Sequence, residues 1–191
     1  MMTRLMPEQI GFIPGAKRPD IEHANRGMGL EKQIIAINDL YKLLGVAWVD
    51  KTNVKTTVIG NGFARVDGKG PVDFLGTMAP NGRTVAFDCK DCAERRINLD
   101  RLEPHQLEQL GRIHALGGKA FILVRFVYSD VFAVPVDYWS AAEMYRTYGK
   151  PIELVDGWKP KNAASICETD MKPEWAVRNY DYLGALNDAT D

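Results

Sequence analysis

A turn signal between two β-prone runs sets the tightest constraint on this chain. Pro80-Asn81-Gly82 combines a residue that fixes φ with one that accepts a left-handed backbone, as a tight turn requires. The flanking runs, Pro71–Thr77 and Thr84–Lys90, read as two strands folding back on each other. Strand side chains alternate faces. Val85, Phe87 and Cys89 therefore point into a core, while Asp88 and Lys90 share the other face. The turn also returns Asp88 to the neighbourhood of Asp73.

Two carboxylates and an ammonium on one face suit phosphodiester hydrolysis. Hard oxygen donors hold Mg²⁺, which takes one or two carboxylates and completes its shell with water and substrate phosphate. A bound ion activates water and offsets phosphate charge, and a neighbouring lysine stabilises the charge that develops. A surface hairpin with a solvated Asp–Lys pair is the plain alternative, and Asp-x-Lys alone would not decide between them.

Around this hairpin the pattern is that of an α/β domain. Ile34, Ile37, Tyr41 and Leu44 recur at helical spacing from about Asn25, a candidate N-cap, to a stop at Gly45. Val46–Val49 reads as a strand. Lys51–Gly70 reads as a basic hairpin or loop carrying Lys51, Lys55, Arg65 and Lys69. Pro104 opens a second helix with Leu107, Leu110 and Ile113 on its apolar face, ended by Gly117-Gly118. Ala120–Val127 is apolar enough for a strand buried on both sides. Val131–Val136 would be its neighbour, with Pro135 suggesting an edge. Tyr138–Tyr148 and a segment opened by Pro173 read as further helices. The expected fold is a mixed central β-sheet flanked by helices.

The flanking sequence adds a resemblance. Asp73, Asp88 and Lys90 are arranged as in the PD-(D/E)xK nuclease superfamily, whose core is restriction-endonuclease-like. Asn25-Arg26-Gly27-Met28-Gly29-Leu30-Glu31 with Ile37-Asn38 and Tyr41, Glu103-Pro104-His105-Gln106-Leu107, and Gly117-Gly118-Lys119-Ala120-Phe121 resemble segments of RecU-type Holliday junction resolvases, in order, over roughly residues 25–139. Ser165-Ile166 is similar to a short C-terminal motif of that family. The resemblance implies a structure-selective endodeoxyribonuclease acting on four-way junction DNA with Mg²⁺ or Mn²⁺. It implies metal binding by Glu31, Asp73 and Asp88, assistance from Lys90, a polar Gln106 near the site, and a phosphate contact at Arg26. Two departures stand out. The stalk-like segment of residues 51–70 is short and lacks the family's Pro-Thr-Pro, and Ala86 stands where members carry an acidic residue. Asp88 also replaces the commoner Glu.

Paired cuts in a near-twofold junction, with one site per chain, imply a homodimer. Net charge is −1, so DNA contact must come from local basic groups: Lys51, Lys55 and Lys69 in the hairpin, and Arg95, Arg96 and Arg101 after the catalytic strand. For these three arginines a solvated loop is the plain alternative. The chain has 3 cysteines, an odd number that suggests no disulfide framework. Cys89-x-x-Cys92 invites a zinc reading, but Cys89 should face the core. With neither an apolar membrane span nor a leader-like start, the expected setting is cytoplasmic. The expected organisation is an irregular arm (1–24), a nuclease domain (25–180) and a flexible acidic tail (181–191). A restriction- or repair-type endonuclease and an inactive DNA-binding recombination modulator remain as alternatives.

Overall fold

In the computed structural model, residues 29–52, 56–59, 63–66, 71–127, 130–149 and 157–188 are described. The apolar spacing of the first helix becomes α1 (Leu30–Leu44), which buries Leu30, Ile34 and Tyr41. Gly45 stops it in the left-handed region (φ 69°) and donates to the Lys42 carbonyl at 3.2 Å. The chain then enters β1 (Ala47–Lys51), which pairs antiparallel with β4 (Phe74–Met78). Between them, β2 (Thr56–Ile59) and β3 (Phe63–Val66) form a separate antiparallel ribbon, in the stretch expected to be a hairpin.

The central sheet has 6 strands in the order β1-β4-β5-β7-β8-β10. Antiparallel β4–β5 pairing follows the Asn81-Gly82 turn, with Gly82 at φ 65°; β5 spans Arg83–Asp91. The next neighbour, β7 (Lys119–Arg125), runs parallel to β5, and the connection crosses through α2 (Pro104–Ala115). β8 (Val131–Pro135) and β10 (Ala176–Val177) complete the sheet in antiparallel sense. The expectation of a mixed sheet flanked by helices is met.

Strand alternation splits the core into two layers. Phe74, Phe87 and Phe121 stack across three adjacent strands at centroid separations of 4.9 and 4.8 Å, under α1 and Tyr182. On the other face, Ala86, Ile122 and Val124 pack with Leu110 of α2 and Trp139 of α3 (Val136–Tyr148). Ile97 and Ile166, from the small β6–β9 pair (Arg96–Asn98, Ser165–Cys167), close that layer.

Three expectations change. β8 is not the outermost strand, but β10 reaches only Val131 and Phe132, so Pro135 leaves no ladder bond missing on that side. Pro173 opens a single 3-10 turn that runs into β10, not a helix. Trp175 and Val177 are both buried, and their separation of two is the strand period. The expected loose tail from Asp181 instead begins with α4 (Tyr182–Asp188), whose Tyr182, Leu183 and Ala185 are buried. Its sequence is too short to announce a helix, and burial against α1 stabilises it.

Candidate active site

Continuing the β4–β5 register, Phe74 opposite Phe87, by one step sets Asp73 opposite Asp88. Asp73 lies just before β4, not inside it. There the ladder is made with side chains. The Asp73 N–H donates to Asp88 Oδ1 at 3.2 Å, and the Cys89 N–H donates to Asp73 Oδ2 at 2.8 Å. Asp73 is held from behind as well, since its carbonyl accepts from the Thr52 N–H at 2.8 Å at the end of β1.

Asp88 is fully buried in the face covered by α2. Gln106, in the first turn of α2, donates from Nε2 to Asp88 Oδ1 at 2.9 Å. Its Oε1 accepts from the Glu103 N–H at 3.1 Å, so one side chain caps the helix and fixes the carboxylate. Gln109 accepts from the Val72 N–H at 3.3 Å on the same side. The three-residue spacing from Gln106 to Gln109 is the sequence signal of that shared face. Lys90 lies against Asp88 Oδ2 as an ion pair. That oxygen has no aligned hydrogen-bond donor, so it keeps acceptor capacity.

Burial pushes the Asp73 carboxyl up to about 6, and the Asp88 charge adds to the rise; the Cys89 N–H opposes both, and Glu31 contributes as a further like charge. Two crowded carboxylates with an under-used buried oxygen fit a hard divalent cation. Glu31, half-buried near the start of α1, is engaged by Lys51. Among the described residues, no three carboxylate, imidazole or thiol side chains gather as a metal cluster. The structure thus brings Asp73, Asp88, Lys90 and Gln106 together and leaves Glu31 beside them.

The basic candidates are distributed unevenly. Arg96 Nε meets Glu94 at 2.8 Å and Arg95 Nε lies 3.7 Å from Glu168, both at the surface. Arg26, Lys55 and Lys69 lie outside the described residues. Cys89 and Cys92 are free and belong to opposite core layers, so the Cys-x-x-Cys pair is not presented to one ion. Burial first, then Asp73, raises the Cys89 thiol well above its ordinary range.

Sheet and site together define an α/β protein whose strand pair presents two aspartates and a lysine beneath a helix-borne glutamine. Residues 25–156 match the family described as Recombination protein U. The chain belongs to that family. It is 29% identical over 114 residues to the Holliday junction resolvase RecU of Streptococcus pneumoniae (strain Taiwan19F-14), covering 54% of this chain and 57% of that protein. Against the same protein of strain Hungary19A-6 it is 28% identical over the same length. The chain thus spans little more than half the length of these relatives. A solved structure of Archaeoglobus fulgidus Hjc, a Holliday junction resolvase, aligns over 73% of this chain and 89% of its own, at TM-score 0.40 and 14% identity. That likeness is too slight to add to the family match. No helix among the described residues is long and apolar enough to cross a membrane.

Proposed function

We propose that this chain is a divalent-metal-dependent endodeoxyribonuclease that resolves four-way DNA junctions by paired cuts, acting as a homodimer inside the cell. The observation that carries this reading is the Asp73–Asp88–Lys90 arrangement, held rigid by Gln106, in a chain of the Recombination protein U family. Asp73 and Asp88 would hold the ion, Mg²⁺ or Mn²⁺, with Glu31 adding negative potential beside them. When bound, the ion supplies Lewis acidity toward the scissile phosphate and offsets its charge. Lys90, 13% exposed at the end of β5, donates to a phosphate oxygen as negative charge builds there. Water adds to phosphorus and one P–O bond breaks, leaving a phosphate and a hydroxyl. Lys51 and the ribbon after it would lie along the duplex arms, where phosphate contacts orient DNA without reading sequence.

The test compares a labelled four-way junction with the matching linear duplex, with and without Mg²⁺ or Mn²⁺. Paired, symmetric, metal-dependent nicks on the junction alone are expected. Equal cutting of both substrates would replace the reading by a general endonuclease. Junction binding without cutting would replace it by an inactive DNA-binding protein.

A further inference from the structure

Resting on the reading just given, the structure assigns Arg101, in preference to Arg95 or Arg96, as the phosphate clamp beside the cutting site. Arg101 sits in the 3-10 turn Leu99–Arg101, three residues before the helix whose Gln106 grips Asp88 begins at Pro104. Its exposed guanidinium reaches the C-terminal end of β5, donating from Nη1 to the Asp91 carbonyl at 3.0 Å and lying 3.8 Å from Cys92 Sγ. Both acceptors are neutral. The acidic side chains around it are already taken: Asp91 by Arg125 and Asp100 by Arg146. None of the ion pairs among the described residues includes Arg101, whereas Arg95 has Glu168 and Arg96 has Glu94. Arg83 is also tied only to a carbonyl, that of Gly117, but it stands at the opposite end of β5. Cys92, against which Arg101 lies, follows Lys90 by two residues, so the guanidinium stands just beyond Lys90 at the same end of β5. A guanidinium tethered through neutral groups keeps its charge and most of its donors for an incoming anion, and its planar fork matches two phosphate oxygens. Arg101 therefore takes a backbone phosphate adjoining the one that Lys90 faces.

The full-length protein is assayed for binding to a labelled four-way junction without metal, over a series of salt concentrations, and for cleavage with Mg²⁺. Arg101→Gln keeps an amide donor for Asp91 but removes the charge. It is expected to bind roughly tenfold more weakly, with a salt slope smaller by about one, and to raise KM while kcat stays near wild type. Arg101→Lys should restore the salt slope with part of the affinity, and thermal melts of both variants should match wild type. Arg95→Gln and Arg96→Gln should each lose less than Arg101→Gln. A wild-type slope and affinity in Arg101→Gln, or an equal loss in Arg95→Gln, would overturn the assignment while leaving the nuclease reading in place. Wild-type protein that neither binds nor cuts the junction would overturn both.

Discussion

Asp73 and Asp88 meet across the end of the β4–β5 pair through a backbone-to-carboxylate bond, Asp73 N–H to Asp88 Oδ1 at 3.2 Å. Placing a carboxylate where a carbonyl would continue the ladder leaves two acids close together, one fully buried. This juxtaposition is unfavourable for the folded chain on its own, and it is the property a cation site needs.

Asp73→Asn should lower cleavage by on the order of 10³-fold and leave junction binding near wild type, because Asn keeps an oxygen for the Cys89 N–H. Retained cleavage would show that the site is misassigned.

The same variant should be the more stable protein at neutral pH without metal. The folded-state pKa of Asp73 is raised to about 6. Its contribution to stability is therefore full below the unfolded value near 4 and is lost as pH rises through about 6. After discounting for partial solvent screening, Asp73→Asn should gain about 1 kcal/mol above that pH and little below pH 4. Thermal melts in chelator across this range check the sign. Mg²⁺ should raise the wild-type Tm and leave that of the variant unchanged.

Gln106→Ala removes the Asp88 contact and half of the capping box together. Stability should fall by about 1 kcal/mol and kcat by about tenfold, with KM for the junction little altered. Gln106→Glu keeps the cap acceptor but sets another acid against Asp88, so its activity should be lower than wild type while the helix cap is kept. Denaturant melts beside kcat at one neutral pH distinguish the two effects.

Gly76→Ala should loosen β1 from β4. A Cβ there would fall 2.0 Å from the Trp48 carbonyl and 2.5 Å from Val49 Cα, both backbone. A loss of about 1–3 kcal/mol is expected. Hydrogen exchange should localise the opening to residues 47–51, leaving the β5–β7 pair protected.

Ending the chain after Asp181 should destabilise it severely. Tyr182 is fully buried on the Phe87 ring, with centroids 4.8 Å apart, and its hydroxyl donates to Asn38 Oδ1 at 2.7 Å. Loss of an aromatic of this kind costs about 3–5 kcal/mol. The milder Tyr182→Phe removes only the hydroxyl and should cost about 1–3 kcal/mol, because it leaves a buried Asn38 oxygen unpaired. Chemical denaturation of the two variants gives the comparison.

The sequence by itself determined the hairpin, its turn, the alternation of β5 and the proximity of Asp73, Asp88 and Lys90, because all of these follow from strand period and turn chemistry over a short stretch of chain. It also determined α1 and α2, whose apolar stripes are local signals. Only the tertiary structure decided the rest. Which strand lies beside β5, and in which direction, depends on a crossover through α2. The burial of residues 182–185 depends on α1 and the aromatic stack being there to receive them. That Glu31 pairs with Lys51, while Arg95 and Arg96 are paired and Arg101 has no ion pair among the described residues, depends on carboxylates remote in sequence as well as near. Between residues remote in sequence, pairing of surface charges is a property of three-dimensional neighbourhood, and no spacing rule along the chain encodes it.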